Sequence, residues 1–403
     1  MLDLTKIPNN YNIAIIGLGN IGLPLAIALG EKYPTIGFDI DTSKVESLRE
    51  NTLSTNLSFT NNLNILSNCN IFIIAVSTSV GKDGNPDLQH LLTATRNIAA
   101  LLKKGDLVIY ESTVFPGCTE DICVPILEEI SGLRFNSDFF VGYSPERINT
   151  ADNIHTLKNT IKITSGSNPE TAQKVDDLYR SIVGAGTYLA PSIKVAEAAK
   201  LLENAQRDIN IAFMNNVATI LTKNNISFEE VWQASSTKWN FLKFSAGLVG
   251  GDCLPLASQY LNHISDVKEN TLSVARKIND TLPQTITKLI FTKLQEVFPQ
   301  NFKFKILILG ISYKPNTPSI KGSLVIDLIE ELRKSNIEID LFDPVSEPND
   351  VVNIESLSEN QQYHLIIKAT NHQIFENLNL PDFVVPRALL FNISTFSFKN
   401  INS

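Results

Sequence analysis

The string "GLGNIG" sets Gly17, Gly19 and Gly22 in the spacing G-x-G-x-x-G. Each glycine of such a string has its own task. The first permits a tight turn, the second lets main chain approach a pyrophosphate, and the third seats a helix on a sheet. Context gives the string its weight, because it follows the β-branched run "NIAII" and opens the helical text "LPLAIALG". Roughly twenty residues on, "GFDID" puts Asp39 at the end of the next apolar run. A carboxylate there accepts hydrogen bonds from an adenosine ribose and repels a 2′-phosphate, so NAD is expected rather than NADP.

Two other features carry reactive groups. "GLVGGDCLPLASQY", residues 247–260, places Cys253 inside a glycine-rich turn of a chain with four cysteines. On the residues alone it is either a working thiol or a small apolar filler, the second being the reading for Cys69 and Cys123. Cys118 reads as an ordinary turn position after "FPG". Along a helical run from residue 193, Lys200, Asn204 and Arg207 fall at i, i+4 and i+7. They lie opposite an apolar stripe of Val195, Ala199, Leu202, Ile209 and Phe213. Such a polar stripe reads as a solvated face or as groups aimed into a site.

The elements that must position these groups fall into three segments. Up to residue 192, apolar runs at "NIAII", "PTIGFDI", "IFIIAV", "DLVIYEST" and "FFVGYSPE" alternate with helical text. That alternation indicates a doubly wound parallel sheet. Residues 193–300 are mostly helical, and residues 301–403 return to strands at "KILILGISY", "IEIDLFDP", "HLIIKAT" and "ALLFNIS". The expectation is an α/β chain of two Rossmann-like, doubly wound parallel-sheet domains joined by a long central helical segment. No sequence period relates the two α/β segments.

The bulk numbers narrow the function. The chain has 403 residues, 43% of them hydrophobic, and a formal charge of -8. That acidity argues against general nucleic-acid or anionic-membrane binding. No apolar run approaches a membrane span, and the start "MLDLTKIPNNYN" lacks the plan of a signal peptide. The cysteines show no metal-ligand spacing, so free thiols in a reducing cytoplasm and no metal are expected.

Eight strings, in order, carry a resemblance over nearly the whole chain: "GLGNIGLPLA", "GFDID", "YESTVFPGCTE", "GYSPERIN", "KVAEAAKLLENAQRDINIA", "TKWNFL", "LVGGDC" and "ILGISYKPN". Together they resemble the UDP-glucose/GDP-mannose dehydrogenases, in particular the branch acting on UDP-N-acetylhexosamines. The resemblance implies oxidation of a sugar C6 alcohol to an aldehyde and then a carboxylate, with two NAD+, for surface polysaccharide supply. It implies that Cys253 is the nucleophile, forming a thiohemiacetal and then a thioester. Lys200 and Asn204 become the helical pair at C6, Glu146 the carboxylate that handles water, and Thr113 a hydroxyl near water and nicotinamide. Asn20, Ile21, Lys44, Ser77 and Thr78 join Gly17, Gly19, Gly22, Asp39 and Thr113 around the cofactor. Arg147, Ile148, Asn149, Arg207, Lys243, Phe244, Ser245, Gly247, Tyr313, Lys314 and Lys321 become substrate contacts, beside Glu146, Lys200 and Asn204. A homodimer or larger homo-oligomer built on the central helices is implied as well.

The sequence departs from the family pattern near the chemistry. Asp252 precedes the cysteine where the branch commonly has His, and Ala257 replaces an aspartate four residues beyond it. Ser319 and Lys321 stand in place of D-x-R, and Ser77 and Ser79 flank Thr78 where prolines are usual. These changes leave open a catalytically impaired paralogue that binds NAD and UDP-sugar in a regulatory or structural role. A single-hydride oxidoreductase is another alternative, but it leaves "LVGGDC" and the third segment unexplained.

Overall fold

The computed structural model describes residues 11–52, 55–81, 83–147, 156–251, 253–300, 303–335, 337–346, 362–378 and 384–401. The strands of the first half are β1 (Ile13–Ile16), β2 (Thr35–Phe38), β3 (Leu57–Thr60), β4 (Ile71–Ile74), β5 (Ser79–Val80), β6 (Pro86–Asp87), β7 (Leu107–Tyr110), β8 (Phe140–Tyr143), β9 (Lys162–Gly166) and β10 (Thr187–Leu189). Its helices are α1 (Gly22–Gly30), α2 (Thr42–Asn51), α3 (Gln89–Ala99), α4 (Val124–Ser131) and α5 (Pro169–Arg180). Helices α6 (Ile193–Lys223), α7 (Phe228–Ser235), α8 (Cys253–His263), α9 (Thr271–Asp280) and α10 (Leu282–Val297) follow. The last part holds β11 (Phe304–Leu309), α11 (Leu324–Arg333), β12 (Ile337–Phe342), β13 (Tyr363–Lys368), β14 (Val384–Asn392) and β15 (Ser397–Asn400).

The chain packs as two compact units, Met1–Glu203 with Gln259–Asp266, and Asn204–Ser258 with Val267–Ser403. In the first, eight strands lie in the order β10-β9-β8-β7-β4-β1-β2-β3. Every pair in it is parallel except β8 with β9. Strands β1 and β4 are buried at every residue, which is why their text is continuously apolar rather than alternating. The second unit has five strands in the order β12-β11-β13-β14-β15, with an antiparallel last pair. Its core joins β11 residues Phe304, Ile306 and Ile308 to Ile286, Ile290 and Leu294 of α10 and to Met214 and Ala218 of α6. The later part of α6, α7 and α10 therefore share a core with the second sheet. The expected fold class, two Rossmann-like sheets linked through a long helix, is what the chain adopts.

Helix α6 does not bury the stripe expected of it. Val195, Leu202 and Phe213 are exposed, while Ile193, Ala196, Leu201, Ala205, Ala212 and Ala218 are buried. Small side chains admit close approach of neighbouring main chain, so packing favoured the alanine face over the larger apolar one.

Candidate functional site

In the first unit the "GLGNIG" turn runs straight from β1 into α1. Gly17 has φ 94°, a left-handed value, and its N–H donates to the Phe38 carbonyl at 2.9 Å. A Cβ on Gly22 would lie 1.8 Å from the Gly17 oxygen, whereas one on Gly19 would meet nothing within 4 Å among the described residues beyond its chain neighbours. The fold itself thus requires glycine at 22. The space over Gly19 is open. It belongs to a cavity of about 440 Å³ lined by Gly17, Gly19, Asp39, Lys44, Ser77 and His90, among others. Asn20, Ile21, Gly22, Thr78 and Thr113 are not part of that lining. Asn20 is exposed on the turn and Ile21 half-buried, and the Thr78 hydroxyl donates to the Thr113 carbonyl at 2.7 Å.

Asp39 sits at the end of β2 and accepts from the amides of Leu18 at 2.9 Å and Asp41 at 3.0 Å. Lys44 adds an ion pair at 3.0 Å. Burial opposes ionisation of Asp39, but these donors prevail and hold its carboxyl below the usual range. An open glycine turn at a helix start, with an ionised carboxylate across the cavity, suits the two ends of an ADP-ribosyl group. The residues present fit NAD.

A second cluster in this unit surrounds Glu146, just beyond β8. The Lys200 ammonium, from α6, donates to the Glu146 main-chain carbonyl. The Glu146 carboxylate accepts from the Arg147 amide at 2.6 Å and lies 3.8 Å from the Lys162 ammonium. Arg147 is paired with Glu203 at 2.7 Å. Ile148 and Asn149 lie outside the described residues. Beneath them Lys162 and Glu111 form a fully buried ion pair at 2.5 Å, and Tyr179 donates to the other oxygen of Glu111. Sequence reasoning passed over Glu111, Lys162 and Tyr179. Only Glu111 had a signal, as the neighbour of Thr113 in "YEST".

Glu197, one turn before Lys200 on α6, accepts from the amides of Gly117 at 2.7 Å and Thr119 at 3.0 Å. Burial pushes Glu197 and Glu111 up to about 7, from an ordinary 4.5. A carboxyl raised by folding binds more protons folded than unfolded across that interval, so stability falls as pH rises through it. Thermal unfolding should therefore show a midpoint that declines from about pH 5 to about pH 7. The decline should be shallower in Glu197→Gln, and an unchanged slope would remove Glu197 as a cause.

The second unit carries the cysteine. Cys253 is the first residue of α8 and is exposed, while Cys69, Cys118 and Cys123 are buried. The turn before Cys253 is fixed by close approach. A Cβ on Gly250 would lie 2.3 Å from the Gly322 carbonyl, and one on Gly251 would lie 2.8 Å from the Tyr313 ring. The Gly251 amide also donates to the Gly322 carbonyl at 2.8 Å. Two stretches far apart in sequence, "LVGGDC" and "SYKPNTPSIKGS", are thereby packed together.

Upstream, Asn215 of α6 clamps Gly247 through both main-chain groups, at 2.8 and 3.0 Å. Lys243 and Ser245 are exposed on this loop, and Phe244 packs against the core while its carbonyl accepts from Trp232. Lys314 lies over the Tyr313 ring at 5.6 Å, and Lys321 is exposed. The loop that bears them is held by Asp343, which accepts from the Ile311 and Ser312 amides and from His372. Burial works against that carboxylate, but His372 and the amides hold it well below the usual range. Asn204 is half-buried and Arg207 exposed on α6. Asp252 lies outside the described residues, and Ala257 is completely buried on α8. Beside Ala257 in sequence, the Ser258 hydroxyl donates to buried Asp208 at 2.6 Å, which pairs with Arg276 at 2.5 Å.

Among the described residues no helix is long and apolar enough to cross a membrane. Family comparison matches residues 11–183 to the NAD-binding domain of the UDP-glucose/GDP-mannose dehydrogenase family, 194–281 to its central domain, and 307–394 to its UDP-binding domain. The chain is 42% identical over 390 residues to a UDP-N-acetyl-D-glucosamine 6-dehydrogenase of Pseudomonas aeruginosa, covering 92% of each. It is 41% identical over 397 residues to the enzyme of the same name from Salmonella typhi, covering 93% of each. Among solved structures it resembles a UDP-D-ManNAc dehydrogenase from Pyrococcus horikoshii, with TM-score 0.86, 28% identity and 96% of both chains covered.

Proposed function

The chain belongs to the UDP-glucose/GDP-mannose dehydrogenase family, and on that premise we propose that it oxidises C6 of a UDP-N-acetylhexosamine to the uronic acid. It is an NAD-dependent oxidoreductase, and bound NAD supplies the hydride acceptor for both steps. The observation that carries the two-step reading is Cys253, an exposed thiol at a helix start behind a glycine turn that no larger residue could build.

In this reading Lys200, with Asn204 one turn on, steadies the oxygen on C6 as the alcohol loses its proton and becomes an aldehyde. The Cys253 sulfur then adds to the aldehyde carbon, and loss of a second hydride from that carbon leaves a thioester. Water, ordered by Thr113 and deprotonated by Glu146, attacks the thioester carbon and frees the acid and the thiol. Lys243 to Gly247, Arg207, Tyr313, Lys314 and Lys321 hold sugar and diphosphate, as do Glu146 and Arg147. Functionally the chain divides into a cofactor segment 1–192, a helical segment 193–300 and a nucleotide-sugar segment 301–403. The product serves surface polysaccharide synthesis in the cytoplasm. The exposed Val195, Leu202, Phe213 and Ile220 of α6 support a homo-oligomer.

A second reading, binding without turnover, is favoured by one observation, the buried Ala257 where the family usually carries a carboxylate. Counting NADH against UDP-N-acetylglucosamine consumed decides between them. Two NADH per sugar are expected. One per sugar points to a single-hydride enzyme, and sugar and NAD binding without reduction establishes the second reading.

A further inference from the structure

We propose that Lys162 is a positioning residue for Glu146, its buried ammonium fixing the place of that carboxylate for the hydrolytic step. This rests on the reading of Glu146 as the group that takes a proton from water.

Lys162 opens β9 and is 2% exposed. A lysine there is costly, because taking an ammonium out of water is only partly offset by one partner. Apolar residues usually serve the stability of such a site as well or better. The ammonium instead reaches two groups of the segment beyond β8. It bonds the Pro145 carbonyl at 3.0 Å and faces the Glu146 carboxylate at 3.8 Å. It therefore governs both main chain and side chain at the position where the acid must sit.

The partner behind it completes the device. Glu111, at the end of β7, holds Lys162 from below and is itself held by the Tyr179 hydroxyl from α5. Burial raises the Glu111 carboxyl to about 7, against the pull of Lys162 and with the push of Glu146. The three groups carry one positive charge for two carboxylates. Among the described residues, other charged groups near Glu146 include Lys200 and Glu203 of α6 and Arg147 beside it, and Arg147 pairs with Glu203.

The test compares Lys162→Met, the charge-balanced pair Lys162→Met with Glu111→Gln, and Glu146→Gln. Each is assayed for acid formation from UDP-N-acetylglucosamine and NAD across pH, with KM for NAD and thermal midpoint measured alongside. The double variant removes both charges of the 2.5 Å pair together, so it keeps the experiment readable if Lys162→Met alone does not fold. Loss of the ammonium should lower kcat on the order of 100-fold. The loss should persist in the double variant, where both charges of the buried pair are removed together. KM for NAD should hold. A double variant with the wild-type rate overturns the proposal and leaves the pair a structural one. If Glu146→Gln itself forms acid normally, the reading of Glu146 falls instead, whatever Lys162 does.

Discussion

Replacement of Cys253 by serine is expected to stop acid formation while leaving the first oxidation and NAD binding in place. The thiol is exposed, so its loss opens no cavity in the core. Serine is also well accepted at a helix start, and the glycine turn at 250–251 is untouched. What changes is nucleophilicity. A hydroxyl is a far weaker nucleophile than a thiol at neutral pH unless a base is aligned to activate it. Loss of a covalent nucleophile costs roughly 10⁴-fold or more in turnover. The first hydride leaves C6 without needing the sulfur, so NADH should appear at no more than one per sugar and aldehyde should be trapped by a carbonyl reagent. Calorimetry should return the wild-type affinity for NAD. An unaltered acid yield would mean that the sulfur is not the group that carries the sugar.

The strands legible in the sequence were those whose burial is uniform, such as "IAII", "IFII" and "LVIY", because a strand buried on both faces must be apolar throughout. Strands β3 and β9 were not legible, and the reason differs for each. "LSFT" at β3 is a four-residue sheet edge with Ser58 exposed, too short to show a period. "KITSG" at β9 is almost wholly buried yet reads as polar, because Lys162 is neutralised by Glu111 and Ser165 donates to the Tyr143 carbonyl. Only tertiary partners make that strand. The same holds for the candidate site. The glycine string and Asp39 announce themselves locally, whereas the Glu111–Lys162–Tyr179 cluster draws on β7, β9 and α5 and has no local spacing. Helix α8 begins at Cys253, directly after the glycine-rich turn, where Pro255 blurs the helical pattern. A proline in the first turn of a helix leaves no main-chain bond unmade.

The glycines of the first turn separate what the fold needs from what the cofactor needs. Gly22→Ala should damage the protein with or without NAD. Its Cβ would fall 1.8 Å from the Gly17 carbonyl oxygen and 3.3 Å from the Ala75 side chain. The first of these is main chain and cannot rotate away, so either the turn or the start of α1 must move. Overpacking of this kind costs about 1–3 kcal/mol, enough to lower the thermal midpoint by roughly 2–4 °C for each kcal/mol in a domain of this size. Gly19→Ala should leave the midpoint where it was, because among the described residues nothing beyond its two chain neighbours lies within 4 Å of the added carbon. Its whole effect should fall on the ligand, whose pyrophosphate would occupy the space that the methyl takes. NAD affinity should drop at least about tenfold, the equivalent of 1.4 kcal/mol. The pair of variants therefore gives opposite signatures, one in the unliganded melt and one in the titration. If Gly19→Ala bound NAD as tightly as the wild type, the pyrophosphate would have to lie elsewhere, and the cavity bounded by Gly17 and Asp39 would lose its claim to the cofactor.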